Sequence, residues 1–311
     1  YKRQDKDVST TIHDFRADFP FASYITTKTE GDASLDRRYM CFMVEDSSYN
    51  LLKVITYDKS SDRILGQKTS FSDRIDWVSM DMSGDHCVIG YESHVAQVFS
   101  LDFSTSVDLP EGANGHMDLA LTSDGRDVMV YQNTATDWIA MADLNTGVET
   151  PLLEIPFGIN VDIGLHFSGN SADKPGWVLV STYGSMIPPL GSHHCWIDNL
   201  LFMVELKPNP TVVKIAHTCS YVSIGYRRNY KNYFAEAFAA INTRGTKVYF
   251  GSNWGRTFKS DYTDTYVAIL PTKQKQDQDA FFFSFNFFCN SFKALSRVGE
   301  NERRNLCNHL R

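Results

Sequence analysis

Seven ionisable side chains stand just before or inside short runs of small apolar residues: Glu30, Asp32, His116, Asp118, His166, His217 and Glu236. They occur in the stretches TEGDAS, NGHMDLA, IGLHFSG, AHTCS and YFAEAFA. Imidazole nitrogen and carboxylate oxygen together make a ligand set for a divalent metal, and the same two groups exchange protons near neutral pH. A lone histidine at the start of a strand is more often satisfied by one backbone hydrogen bond. Recurrence argues otherwise, because His116 and His166 take nearly the same place in consecutive runs and Glu236 takes it in another. The expectation is one polar site of His116, His166, His217 and Glu236, with Asp118 beside it, that holds a metal or shares protons around a ligand carboxylate.

Two further clusters are weaker. YRRNYKNY, Tyr226 to Tyr233, interleaves cations and aromatics, so Arg227 and Tyr230 could pair with a uronate and stack on its ring; a solvated loop explains the stretch equally well. His193 and His194 precede Cys195, but adjacent side chains on a strand point to opposite faces, and a solvated loop is the better reading. No G-x-S-x-G elbow, P-loop or dinucleotide fingerprint occurs.

The elements that must carry these residues repeat. DASLDRRYMCFMVED, VSMDMSGDHCVIGYES, LALTSDGRDVMVYQN, LHFSGNSADKPGWVLVSTY and AFAAINTRGTKVYFGSN share an order: small-residue strand, polar turn, alternating apolar strand. Each continues into a further strand: LLKVITYDK, VAQVFSLDF, DWIAMADLNTG, NLLFMVELK and DTYVAILP. The turns centre near Asp36, Gly84, Gly125, Asn170 and Gly245, about 48, 41, 45 and 75 residues apart, against the roughly 40 to 50 of a propeller blade. Asp124-Gly125 and Arg244-Gly245 are read as two-residue hairpins. Ala235, Ala237, Ala239 and Ala240 are small enough for an innermost strand, where blades crowd toward an axis. The fold class is therefore all-β: a β-propeller of about five recognisable four-stranded blades over residues 1–271, one of a larger ring of six or seven if the protein is longer.

Composition bounds the partners. The 311 residues carry a formal charge of −7, and residues 1–271 hold 23 Lys/Arg against 33 Asp/Glu. That acidic body excludes a phosphate-binding footprint, so no nucleic-acid partner is expected. The six cysteines show no C-x-x-C and no zinc-finger spacing, and they read as buried free thiols. FFFSFNFFCNSF, Phe281 to Phe292, is too short to cross a bilayer, so no transmembrane segment is expected. The repeat stops at Thr272, and residues 272–311 read as a polar linker followed by a Phe-rich segment.

LALTSDGRDVMVYQNTATDWIAMADLNTG and AFAAINTRGTKVYFGSNWG resemble the repeat of TolB-like, WD40-like propellers, with Pro missing from the turns at Gly125 and Gly245. The likeness runs roughly from Gly31 to Pro271. It implies a scaffold that binds a glycan or protein ligand, outside the cytoplasm: secreted, periplasmic or at the cell surface. FAEAFAAINTRGTKVYFGSNWG is also similar to the final blades of oligogalacturonate-lyase-type propellers. That second resemblance implies β-elimination on uronate-containing glycans, in which a base takes the proton α to the carboxylate and a metal or Arg stabilises the enediolate. Where that family carries a His-x-His metal pair, this chain has Ala235-Glu236-Ala237, so His217 would have to compensate. Binding is the leading expectation, polysaccharide lyase the alternative, and whether the chain is an enzyme stays open.

Overall fold

The computed structural model describes residues 11–28, 32–113, 115–157, 163–184, 196–220, 235–254 and 263–271, together with the backbone of residues 2–3 and 8–9. The tail 272–311, the loop bearing Arg227 and Tyr230, His193 to Cys195, and Glu30 lie outside the described residues. After a short ladder of β1 (Lys2–Arg3) and β2 (Val8–Ser9), the chain builds five antiparallel sheets in sequence order. The first comprises β3 (Tyr24–Thr26), β4 (Tyr39–Glu45), β5 (Leu51–Asp58) and β6 (Arg63–Lys68). The second comprises β7 (Ile75–Met80), β8 (His86–Tyr91), β9 (Gln97–Ser100) and β10 (Ser106–Asp108). The third is β11 (Met117–Leu121), β12 (Asp127–Asn133), β13 (Trp138–Asp143) and β14 (Glu149–Glu154). In the fourth, β15 (Ile163–Ser168), β16 (Trp177–Gly184), β17 (Leu200–Glu205) and β18 (Val212–His217) follow one another. The fifth has three strands among the described residues: β19 (Ala240–Ile241), β20 (Lys247–Ser252) and β21 (Asp264–Ile269). The chain divides into two compact units after Pro151, a boundary that falls within β14: the first two sheets and β11 to β13 belong to one unit, and the last two sheets to the other.

Each sheet is a meander because consecutive strands pair antiparallel, and most of the first turns carry their own caps. In four sheets the turn before the second strand opens on Ser34, Asp81, Thr122 or Asn242, and the residue three places on has positive φ: Arg37, Gly84, Gly125 and Gly245. The opening side chain accepts the turn's backbone N–H groups. Ser34 takes Tyr39 N at 2.9 Å, Asp81 takes Gly84 N at 2.8 Å, Thr122 takes Arg126 N at 3.0 Å, and Asn242 takes Thr246 N at 2.8 Å. These loops are wider than the two-residue hairpins read from Asp-Gly and Arg-Gly. Glycine in three of the turns, and Arg37 in the first, takes the left-handed position while the capping side chain closes the loop.

Packing is sheet on sheet within each unit. In the first, Cys41, Met43 and Val54 of one sheet meet Ile75, Val78 and Ile89 of the next, and Trp77, Val88 and Val98 in turn meet Leu119, Met129 and Ala140. In the second, Leu179, Leu201 and Met203 meet Val248, Phe250 and Ala268. The other face of the first sheet is covered by Phe19, with Phe15 and Ala22, on Val44 and Ile55. Of the alanines expected in an innermost strand, Ala235, Ala237 and Ala239 are buried ahead of β19, and Ala240, inside it, is exposed.

Cys41 on β4 and Cys87 on β8 form a disulfide with Cα atoms 5.7 Å apart. This corrects the free-thiol reading for that pair. Cysteines 46 residues apart lie about one sheet repeat apart, and the packing of neighbouring sheets brings them into bonding distance. Among the described residues, no helix is long and apolar enough to cross a membrane.

Candidate functional site

In the second unit the fourth residue of β15, His166, faces Glu236, which sits in the bend ahead of β19. Their Nε2 and Oε2 atoms are 2.9 Å apart, and the side chains are only 11% and 6% exposed. His166 is thus in mid-strand, opposite Ser181 of β16, rather than at the start of a strand as the sequence suggests. Strand alternation puts Gly164 on the same side as His166. Gly164 pairs with Tyr183, and a Cβ there would fall 2.0 Å from the Tyr183 ring. The missing side chain lets Tyr183 lie over the strand and stack on the imidazole, ring centres 5.6 Å apart.

Phe238 closes on the imidazole as well, its ring centre 4.3 Å away and tilted by 34°. It is 45% exposed and holds φ at +41°, a conformation bulky side chains seldom adopt. Neighbouring strands hold the bend in place. Gly251 N donates to Ala237 O at 2.8 Å, Ala239 N to Ser181 Oγ at 3.2 Å, and Ile241 N to Ser168 Oγ at 3.2 Å. The result is an imidazole and a carboxylate sharing one proton position, walled by two aromatic rings. Such a group can accept or release a proton toward a ligand, or orient a polar one against an aromatic face.

The other expected residues are placed as follows. His217 ends β18, paired with Leu200, at the far edge of the sheet that carries His166 on β15. Three strand spacings, about 14 Å, separate β15 from β18, so the structure does not bring His217 to the pair. His116 and Asp118 belong to the first unit. His116 is exposed and its carbonyl accepts Gln132 N at 2.9 Å, while Asp118 is buried on β11 with Oδ1 on Leu119 N at 2.8 Å. Asp32 ties two sheets of that unit, donating its N–H to Ser79 Oγ at 3.0 Å and accepting Met80 N at 3.1 Å. Among the described residues no group of three or more His, Cys, Asp and Glu side chains is placed to hold a metal. Tyr183 and Phe238 escaped the sequence reading. The signal for Tyr183 was Gly164, two residues before a histidine on an alternating strand.

Five antiparallel meander sheets in chain order define an all-β chain consistent with a β-propeller of about five blades. The solved structures it resembles include TolB-like and WD40-like propellers and an oligogalacturonate lyase. An oligogalacturonate lyase in complex with manganese aligns with a TM-score of 0.47 and 12% identity over 77% of this chain and 64% of its own. The Cps50 (Swd1) β-propeller domain of Myceliophteria thermophila gives 0.45 and 9% over 83% and 70%. A putative TolB from Agrobacterium tumefaciens gives 0.44 and 12% over 77% and 76%. The chain thus spans less than two thirds of the length of the lyase. No protein-family model matches the sequence, and no curated protein matches it either.

Proposed function

We propose that this chain is a ligand-binding propeller that works outside the cytoplasm and takes a glycan through the His166–Glu236 site of its second unit. The observation that carries the reading is the buried imidazole–carboxylate pair at 2.9 Å between Tyr183 and the half-exposed Phe238. A sugar ring offers an apolar C–H face to an aromatic ring and hydroxyls to a fixed polar pair, which is the chemistry these four side chains present. The Cys41–Cys87 disulfide supports export, since such bonds persist in oxidising compartments. A divalent metal belongs to the same proposal only in part. His166 and Glu236 are suitable ligands, but they engage each other, and His217 stands at the far edge of the sheet.

The test is a glycan panel that includes pectin and ulvan fragments, with wild type and Glu236→Gln compared in parallel. Binding by the wild type that falls at least about tenfold in the variant supports the reading; equal binding by both overturns it. A rise in ultraviolet absorbance from unsaturated uronates, lost in the variant, would replace binding by β-elimination.

A further inference from the structure

His13 stands outside every site described so far. Its Nδ1 lies 2.6 Å from Asp62 Oδ1 and its Nε2 lies 2.7 Å from Asp18 Oδ2. Neutral imidazole has one N–H, whereas a ring with a carboxylate at each nitrogen donates twice and must be imidazolium. The ring packs on Phe15 at 4.4 Å and on Tyr57 at 5.3 Å between centres, with its side chain 19% exposed. Asp18 belongs to the segment that covers the first sheet; Asp62 belongs to the turn between β5 and β6 of that sheet. His13 is therefore an ionic tie between the cover and the covered.

We propose that His13 is a proton-operated latch, holding residues 11–22 over the apolar face of the first sheet when protonated and releasing them when neutral. The groups facing the ring are Asp18 and the adjacent Asp14 from its own segment, Tyr57 from β5, and Asp62 from the turn. Asp14 is taken up by Arg16, and the Tyr57 hydroxyl donates to Asp62 at 2.6 Å. No basic side chain competes for Asp62 in the described contacts, so loss of the imidazolium leaves Asp18 and Asp62 without their shared cation. The hydrogen bonds to Asp18 and then Asp62 raise the affinity of the ring for its proton above the ordinary histidine value. With the folded value raised, the tie is complete below about pH 6.5 and is lost as pH climbs through the raised value. Release would uncover Val44, Ile55, Phe42, Leu52 and Ile64, the surface on which Phe15 and Phe19 rest.

Amide hydrogen exchange of the full chain, read on peptides covering residues 11–22 and corrected for intrinsic rate, tests the latch. Protection there should fall by about tenfold or more between pH 6 and pH 9, while peptides over β12 stay protected. His86, paired with Asp81 at 2.7 Å, also titrates late, which is why the readout must be local to the segment. In His13→Gln protection of 11–22 should be low and flat with pH, and Asp62→Asn should move the midpoint down. Equal protection of the segment at both pH values in the wild type, or a wild-type profile in His13→Gln, overturns the proposal.

Discussion

Glu236 Oε2 sits 2.9 Å from His166 Nε2, although 70 residues separate them in the chain. Removing the imidazole leaves the buried Glu236 carboxyl without its hydrogen-bond partner, a loss of about 3 kcal/mol, whereas an isosteric amide at position 236 keeps a hydrogen bond. His166→Ala should therefore lower stability by roughly 3 kcal/mol and Glu236→Gln by no more than about 1 kcal/mol, measured by denaturant unfolding. Equal costs would show that the pair is not a coupled unit.

Gly164 leaves the space that the Tyr183 ring occupies, with 2.0 Å between a notional Cβ and the ring. Gly164→Ala should displace Tyr183 and cost about 1–3 kcal/mol, as overpacking does. The stack on His166 is lost with it. Near-ultraviolet circular dichroism, which reads the fixed environment of aromatic rings, should change in Gly164→Ala. An unchanged spectrum would mean the ring has room to spare.

The Cys41–Cys87 disulfide closes a loop of 46 residues, and both half-cystines are fully buried. Loop-closure entropy assigns it about 4 kcal/mol at most. Reduction, or the paired change Cys41→Ser and Cys87→Ser, should lower the urea midpoint accordingly. A peptide map without reductant should contain the linked pair; alkylation of both thiols in unreduced protein would refute it.

Acid should weaken the first unit. The Arg38 guanidinium, with Oδ2 2.7 Å away, holds Asp58 well below the usual carboxylate range, and Ser104 and Ser100 hold Asp102 down to about 2. A depressed carboxylate contributes stability above its unfolded value near 4, and loses it as pH falls through the folded value. The thermal midpoint should drop progressively from pH 5 to pH 2. Arg38→Met should flatten that slope, and an unchanged slope would show that Asp58 is not a source of it.

Much of the fold was legible because its determinants are local. Alternation over Ile163–Ser168 and Lys247–Ser252 marks β15 and β20, and the Asp124-Gly125 and Arg244-Gly245 pairs mark two turns where the chain does reverse. The fourth strands were harder to read. Ser106–Asp108 is three residues long with two of them exposed, so it has too little apolar pattern to announce a strand and exists by pairing with β9.

The candidate site was less legible for a different reason. Residue types alone could single out His166 and Glu236, because buried acids and histidines are uncommon in small-residue runs. Which polar residues meet is a long-range matter. His217 lies in the sequence between the two, yet its strand is the last of the fourth sheet, and strand order sets it about 14 Å from His166. The disulfide follows the same rule, since a cysteine's partner is fixed by which sheets pack. What the sequence determined by itself was the repeat: period-2 alternation and turn chemistry act over a few residues and need no distant partner. What only the tertiary structure decided were the contacts among residues tens of positions apart, His166 with Glu236 and Cys41 with Cys87. Those depend on register and on sheet packing, which no local pattern encodes.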